Sequence, residues 1–267
     1  MLKDITLGQY FPGSTVIHRL DPRTKLMLTV IYIACIFTAK EYISYAVVFF
    51  ALSVYVALSC IKPILLLRGL KPLIFLMSFT VIINIFYTKG TPLVTIWRLT
   101  ISREGLKMSV FMMLRIMMLV SGTFLLTYTT SPIAITDGLE SGLAPLKRLK
   151  VPVHELSMMM SIALRFIPTL IEETGKIMSA QKARGANFET GKLTDRARAL
   201  LPLLVPLFVS AFRRADELAI AMECRCYNGG EGRTRMKQLK YGGIDACAMI
   251  IAVALLGGVI WLSSMNL

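Results

Sequence analysis

Apolar residues along this chain occur in five runs separated by short polar or charged connections. The runs cover residues 26–38, 42–60, 72–87, 106–127 and 244–262. About 20 consecutive apolar residues cross the hydrocarbon core of a bilayer as an α-helix, so the first run must recruit flanking residues to span it. The runs therefore predict an all-α integral membrane protein with about five transmembrane helices. The composition agrees, because 55% of the residues are hydrophobic.

Basic residues are concentrated on alternate connections between these runs. Lys and Arg outnumber Asp and Glu by 30 to 16, and cytoplasmic loops carry the excess of Lys and Arg in membrane proteins. With the N-terminus inside, the cytoplasm receives residues 1–25, 61–71 and 131–243. The outer side receives only Lys40, Lys89, Arg98, Arg103 and Lys107. We therefore predict a multi-pass protein of the cell membrane with a cytoplasmic N-terminus and its C-terminus outside.

One charge lies inside a predicted span. Arg115 interrupts the fourth run, and charges at that depth usually face the bundle interior, a water-filled cavity or a partner. A contact with a polar neighbour such as Asn84 is an equally acceptable interpretation. Arg115 therefore marks either a functional contact or internal packing.

The segment 131–243 differs from the spans because it is basic yet rich in Leu and Met. Apolar positions three and four residues apart predict two long amphipathic helices, over residues 152–185 and about 195–227. Their apolar stripes consist of Leu156, Met160, Ala163, Ile167, Leu170, Thr174 and Ile177, and of Leu200, Leu204, Leu207, Ala211, Ala215, Leu218 and Met222. Such helices suit a membrane surface or a helical partner. The predicted organisation is a transmembrane bundle (1–130), a coupling-helix domain (131–243) and a C-terminal transmembrane helix (244–267).

Both amphipathic helices end on an arginine between small residues. The first ends Ala-Gln-Lys-Ala-Arg-Gly at 180–185, and the second ends Ala-Met-Glu-Cys-Arg-Cys at 221–226. A guanidinium in that setting can enter a narrow groove and bind a carboxylate through two hydrogen bonds. Two such ends favour two similar partner subunits. The alternative is that Arg184 and Arg225 only complement the helix dipoles, with Gly185 and Gly229 as helix stops.

Further motifs accompany these helix ends. The residues Ser-Thr-Val-Ile-His-Arg-Leu-Asp-Pro-Arg-Thr-Lys at 14–25 precede the first run, and Leu-Arg-Phe-Ile-Pro at 164–168 lies within the first amphipathic helix. Together with the two arginine motifs, these segments resemble the transmembrane T components of energy-coupling factor (ECF) transporters. The hallmark of that family is two Ala-Arg-Gly motifs at the ends of cytoplasmic coupling helices. The second motif departs from it, because Cys224 and Cys226 replace Ala and Gly.

The resemblance implies a subunit of an ATP-driven importer that transmits motion from two homologous ATP-binding subunits to an exchangeable substrate-binding membrane protein, the S component, for vitamin or micronutrient uptake. The positions that match the two ATPase-binding motifs are Ala183, Arg184, Gly185, Cys224, Arg225 and Cys226. The expected docking residues for the S component are Leu156, Met160, Ala163, Ile167, Leu204, Leu207 and Ala211. The lipid bilayer is the remaining expected partner.

The chain also lacks motifs that other functions would require. It has no G-x-x-x-x-G-K-[ST] phosphate loop, so we expect the partner ATPases to bind ATP and magnesium. His18 and His154, the only histidines, form no metal or nucleophile motif. We therefore expect a non-catalytic subunit without a cofactor or metal. Nucleic-acid binding is not expected either, since no basic or aromatic platform on a soluble fold is visible.

Two other functions fit the residues of this chain less well than a coupling subunit. A permease that forms its own pathway would line its spans with polar residues, but only Asn84 and Arg115 stand out. A membrane enzyme would need clustered acids and histidines near the interface. The only such group is Asp137, Glu140, His154 and Glu155, which lacks the spacing of a known catalytic set.

Overall fold

The computed structural model describes residues 10–88, 90–96, 99–186, 193–229 and 239–265. These residues form ten α-helices and one short β-hairpin. The dominance of helices confirms the predicted all-α fold class. The chain divides into two compact units. One is formed by Gly8–Gly138 with Leu239–Leu267, and the other contains Leu139–Gln238.

The first unit is a bundle of long apolar helices. Its helices are α1 (Val16–Arg19), α2 (Pro22–Thr38), α3 (Tyr42–Ser59), α4 (Pro63–Leu70), α5 (Ile74–Tyr87), α6 (Arg103–Thr129) and α10 (Gly243–Ser264). By length and composition, four stretches among the described residues can cross a membrane: Tyr42–Ser59, Pro63–Tyr87, Arg103–Thr129 and Gly243–Ser264. The 17 residues of α2 lie at the lower end of the usual range for a span, about 17–25.

The third span begins earlier than the sequence predicted. A 3₁₀ turn over Lys71–Leu73 joins α4 to α5, so the helical stretch starts at Pro63 instead of residue 72. Proline at the first helical position costs no hydrogen bond, because that N–H has no partner within the helix. Arg68 and Lys71 therefore belong to the helical stretch and not to a loop between spans.

A small hairpin precedes α6 and was not predicted. The strands β1 (Pro92–Ile96) and β2 (Leu99–Ser102) pair antiparallel, with Thr95 opposite Thr100 and Ile96 opposite Leu99. Ser102 then caps α6, since its hydroxyl accepts a hydrogen bond from the Gly105 N–H at 3.0 Å. The hairpin thus ends where the helix begins.

Helix α2 packs against both α6 and α10. Its approach to α6 depends on Gly122, where an added Cβ would lie 2.3 Å from a ring carbon of Tyr32. The Tyr32 hydroxyl donates a hydrogen bond to the Met118 carbonyl at 3.1 Å. Around this contact, Cys35, Ile36, Val48, Leu125 and Val259 form a fully buried apolar core. Small residues let transmembrane helices approach closely enough for such packing.

Buried polar groups join α2, α6 and α10 at one end of the bundle. The Lys25 ammonium donates to the Thr129 carbonyl at 2.9 Å and to the His18 carbonyl at 3.3 Å. The Asp245 carboxylate accepts from the backbone N–H of Asp21 at 2.9 Å and of Gly242 at 2.8 Å. The motif at residues 14–25 therefore attaches the start of α2 to the end of α6 and the start of α10.

The second unit contains the two long amphipathic helices, α8 (Val153–Ala183) and α9 (Leu193–Glu223), each of 31 residues. Before them come α7 (Pro132–Gly142), of which only the part from Leu139 onward belongs to this unit, and a 3₁₀ turn over Ala144–Leu149. Pro168 lies inside α8, and Pro202 and Pro206 lie inside α9, without ending either helix. At about 1.5 Å per residue, each helix is about 46 Å long.

Candidate functional site

A polar contact joins α8 to α9 at one point along their length. The Glu173 carboxylate accepts a hydrogen bond from the Ser210 hydroxyl and pairs with the Arg214 guanidinium at 3.1 Å. The hydrogen bond from Ser210 and, less strongly, the charge of Arg214 hold the pKa of the Glu173 carboxyl below its ordinary value. The carboxylate is therefore ionised at neutral pH and links the two helices.

The first arginine motif closes α8 with a left-handed residue. The Arg184 N–H donates to the Ala180 carbonyl, and Gly185 follows with φ of +88°. The Ala186 N–H then reaches back to the Gln181 carbonyl at 3.0 Å. This six-to-one bond and the positive φ define the Schellman type of helix end. Arg184 is exposed at its tip.

The second motif closes α9 in the same way without a glycine. The Tyr227 N–H donates to the Met222 carbonyl at 3.0 Å, and Cys226 takes the left-handed position with φ of +56°. A side chain in that conformation costs about 1–2 kcal/mol. Gly229, the helix stop in the alternative interpretation of this motif, does not close the helix, because the closing turn has its left-handed residue at Cys226, three residues earlier. Arg184 and Arg225 thus each precede the left-handed residue.

Both arginines are equally placed with respect to the link between the helices. Arg184 lies eleven residues beyond Glu173, and Arg225 lies eleven residues beyond Arg214. Eleven residues are about three helical turns and about 16 Å along a helix. Each arginine therefore lies about three turns beyond the link, Arg184 directly after the end of α8 and Arg225 two residues after the end of α9. Both side chains are exposed, and neither has an ion-pair partner among the described residues.

The structure places the seven apolar residues predicted for docking in two groups. Leu156, Met160, Ala163 and Leu204 are exposed. In contrast, Ile167, Leu207 and Ala211 are half-buried. On α9 the less exposed face includes Leu203, Leu207, Ser210 and Arg214, which recur at three- and four-residue steps. The predicted stripe of α9 therefore does not lie wholly on one exposed face.

A second apolar stripe on α9 escaped the sequence analysis. Leu201, Val205, Phe208 and Phe212 are strongly exposed, Phe208 at 61% and Phe212 at 68%. Their spacing of four, three and four residues places them on one face of the helix. Because residues 200–212 are apolar on nearly every side of the helix, periodicity alone did not distinguish this stripe from the packed face.

Two members of the acidic and histidine group that a membrane enzyme would require pair with each other between helices. His154 of α8 pairs with Glu140 of α7 at 3.1 Å, whereas Glu155 is exposed. Within the described ranges, no three His, Cys, Asp or Glu side chains converge in a way that would hold a metal ion. The pair accounts for the partly buried positions of both side chains.

Comparison with known proteins places the chain in one family. The CbiQ family, described as cobalt transport protein, matches residues 13–236. A relative from Thermosediminibacter oceani is 54% identical over 252 residues, which cover 93% of this chain and 94% of the relative. Relatives from Ruminiclostridium cellulolyticum and Listeria innocua are 51% and 47% identical, over 97% and 99% of this chain and 97% and 100% of their own lengths. All three are named energy-coupling factor transporter transmembrane protein EcfT.

The apolar helices and these relatives define a multi-pass membrane component of a transporter. The chain belongs to the EcfT family, the transmembrane proteins of energy-coupling factor transporters. This confirms the resemblance drawn from the arginine motifs and from residues 14–25.

Proposed function

We propose that this chain is the coupling subunit of its transporter and transmits ATP-driven motion from two ATPase subunits to a membrane-embedded S component. The observation that carries the proposal is the matched pair of arginine-tipped helices. Arg184 and Arg225 are exposed, precede a left-handed residue and each follow a member of the Glu173–Arg214 link by eleven residues. A duplicated geometry suits two homologous partners, one for each arginine.

The link between α8 and α9 would allow the two helices to move together. When the ATPases close on ATP, each would displace the arginine end of one helix. Because Glu173 accepts from Ser210 and pairs with Arg214, displacement of one helix end would be transmitted to the other helix. A packed, linked pair of helices is a rigid element that a partner can tilt.

The exposed apolar residues of α8 and α9 are the proposed docking surface for the S component. They comprise the exposed predicted residues Leu156, Met160, Ala163 and Leu204, and the stripe of Leu201, Val205, Phe208 and Phe212. Contiguous exposed apolar patches are typical of protein or membrane contact sites. Ile167, Leu207 and Ala211 would support this surface from below.

Chemistry and substrate recognition are assigned to the partners. The ATPases would bind ATP and magnesium, and this chain would act without a cofactor, metal or catalytic residue of its own. The S component would select the cargo, a vitamin or other micronutrient. The cobalt in the description of the matching family names one such cargo class and does not identify the cargo of this chain.

Affinity purification in mild detergent tests the proposed function. We expect two homologous ATPases and at least one small, very hydrophobic membrane protein to co-purify with the full-length chain. Mass spectrometry would identify these proteins. The catalytic subunits of the complex should hydrolyse ATP. Recovery of the chain alone, as a stable homo-oligomer that transports, would contradict the proposal and favour a permease.

Five traversals of the membrane, with the N-terminus inside and the C-terminus outside, complete the proposal. The hydrogen bond from Lys25 to Thr129 joins the start of α2 to the end of α6. If α3, the α4–α5 stretch and α6 each cross, α2 must cross as well to bring those two ends together. Asp245 joins the start of α10 to the same end of the bundle, so α10 finishes on the opposite side. The basic segments around this end favour the cytoplasm.

Reporter fusions test this orientation. The first reporter is one that is active only outside the cytoplasm. We expect it to be active when fused after Leu267 and inactive when inserted near Gly191. A cytoplasmic reporter at the two positions is the matched control and should give the opposite pattern. Activity of both fusions in the same compartment would show that the number of traversals is wrong by one.

A further inference from the structure

A cavity of about 300 Å³ opens at the end of the bundle where α2 ends and α3 and α6 begin. Its lining residues are Lys40, Tyr45, Glu104, Lys107, Phe111 and Arg115, together with two methionines of α6. Aromatic rings form one wall, since Phe111 stacks on Tyr45 with ring centres 5.0 Å apart. The cavity therefore combines cationic groups with an apolar wall.

The guanidinium of Arg115 reaches the level of the connection between α2 and α3, although its backbone lies deeper in the bundle. Arg115 follows the start of α6 by twelve residues, about 18 Å, and helical side chains point towards the N-terminus of their helix. Its Nε donates to the Tyr45 hydroxyl at 3.0 Å, and its guanidinium carbon lies 5.8 Å from the Phe37 ring. Phe37 is in the last turn of α2 and Tyr45 in the first turn of α3. The predicted neighbour Asn84 instead donates to the Thr80 carbonyl.

The cations around the cavity are only partly neutralised. Lys107 lies 3.7 Å from Glu41, outside the cavity lining. Glu104 accepts from the Thr91 N–H at 2.8 Å and from its hydroxyl at 2.9 Å. Arg115 and Lys40 have no carboxylate within ion-pair distance among the described residues. The lining thus carries three cations and one carboxylate, and the carboxylate is already hydrogen-bonded.

We propose that this cavity binds the phosphate of an anionic phospholipid. A phosphate oxygen would accept from the guanidinium N–H groups of Arg115 that Tyr45 does not engage, and Lys107 and Lys40 would add charge nearer the surface. Arginine binds phosphate through two parallel hydrogen bonds. Basic pockets between transmembrane helices bind anionic headgroups on the cytoplasmic side of membranes, and the same charge attraction would act at the end of the bundle that bears Arg115.

The apolar wall identifies the ligand as a lipid and not a free anion. Met108 lines the cavity and is exposed. The exposed rings of Tyr42 and Phe37 lie beside the lining residues Lys107 and Arg115. Acyl chains would cover these side chains, whereas a free phosphate ion would leave them uncovered. Lys107 also lies 5.1 Å above the Tyr42 ring, which holds its ammonium at the first turn of α3, beside the cavity. The proposal does not depend on the ATPase contacts.

Native mass spectrometry of the full-length chain, purified with the subunits that it retains, tests the site. The protein is equilibrated with equimolar phosphatidylglycerol and phosphatidylcholine of identical acyl chains, and the bound lipids are counted. We expect phosphatidylglycerol to be retained preferentially, and Arg115→Gln to lower that preference about tenfold, as loss of a charged hydrogen bond does. Lys107→Gln should lower it less, and Arg115→Lys should retain part of it.

A matched control and a second variant distinguish loss of the lipid site from general effects of mutation. Lys62→Gln removes an exposed lysine at the start of α4 and should leave the preference unchanged. If Arg115→Gln does not fold, Lys107→Gln on the exposed rim still decides the question. Equal retention of the two lipids by the unmodified chain would overturn the proposal. So would unchanged preference in both variants, or displacement of the lipid by millimolar inorganic phosphate.

Discussion

Replacing Asp245 by alanine should lower the thermal stability of the membrane bundle more than any other single aspartate substitution. The side chain is 5% exposed, and its carboxylate accepts from the backbone N–H groups of Asp21 and Gly242. Its charge also stabilises the ammonium of Lys25, which is 3% exposed. Breaking a buried charge arrangement by removing one partner costs about 3–5 kcal/mol.

This effect is measured by heating the purified protein in detergent at a fixed rate. The fraction that remains folded is determined by size-exclusion chromatography of samples taken at each temperature. We expect a clearly lower midpoint for Asp245→Ala and a smaller change for Asp245→Asn, which keeps one acceptor oxygen. Asp216→Ala changes an exposed aspartate of α9 and should stay within about 0.5 kcal/mol of the unmodified protein. A midpoint of Asp245→Ala equal to that of Asp216→Ala would show that the polar contact between α2, α6 and α10 contributes little.

The sequence predicted the features that depend on composition and periodicity. Four of the five apolar runs coincide with helical stretches that can cross a membrane, and the three- and four-residue spacing identified α8 and α9. Both patterns are local. The first run corresponds to α2, which is not one of those four stretches. The small residues around Arg184 and Arg225 also marked the helix ends. The start of the third span was obscured by Arg68, Lys71 and Pro72, which resemble a connection although the helix continues through them.

Contacts between distant positions could not be predicted in this way. Arg115 meets Tyr45 seventy residues away, and Asp245 accepts from Asp21 across 224 residues. The packed face of α9 was also hidden, because apolar residues surround that helix. The contact of Glu173 with Ser210 and Arg214 marks the face that packs. No periodicity in one helix contains that information.

Replacing both Arg184 and Arg225 by alanine should release the ATPases from the membrane and abolish uptake. If each guanidinium enters a groove on an ATPase, its loss leaves an acidic partner buried and unpaired, which costs about 2–5 kcal/mol. An arginine that only complements a helix dipole contributes about 0.3–1 kcal/mol. Arg184→Ala or Arg225→Ala alone should therefore weaken uptake strongly, and the double variant should be inactive.

Conservative and matched variants separate docking from charge. Lysine at either position should restore function only in part, because it keeps the charge without the paired hydrogen bonds of a guanidinium. Arg213→Ala removes an exposed arginine of α9 outside the motif and should have a mild effect. Cys226→Gly should be tolerated, since glycine favours the left-handed conformation that Cys226 adopts with φ of +56°.

The most direct test of the coupling role is ATPase retention on washed membranes, measured together with substrate uptake, for the Arg184→Ala/Arg225→Ala double variant. The chain should remain in the membrane at normal abundance, while the ATPases move to the soluble fraction and uptake falls to background. Near-normal retention and uptake in the double variant would contradict the coupling role of the two arginines and place the ATPase contact elsewhere on the chain.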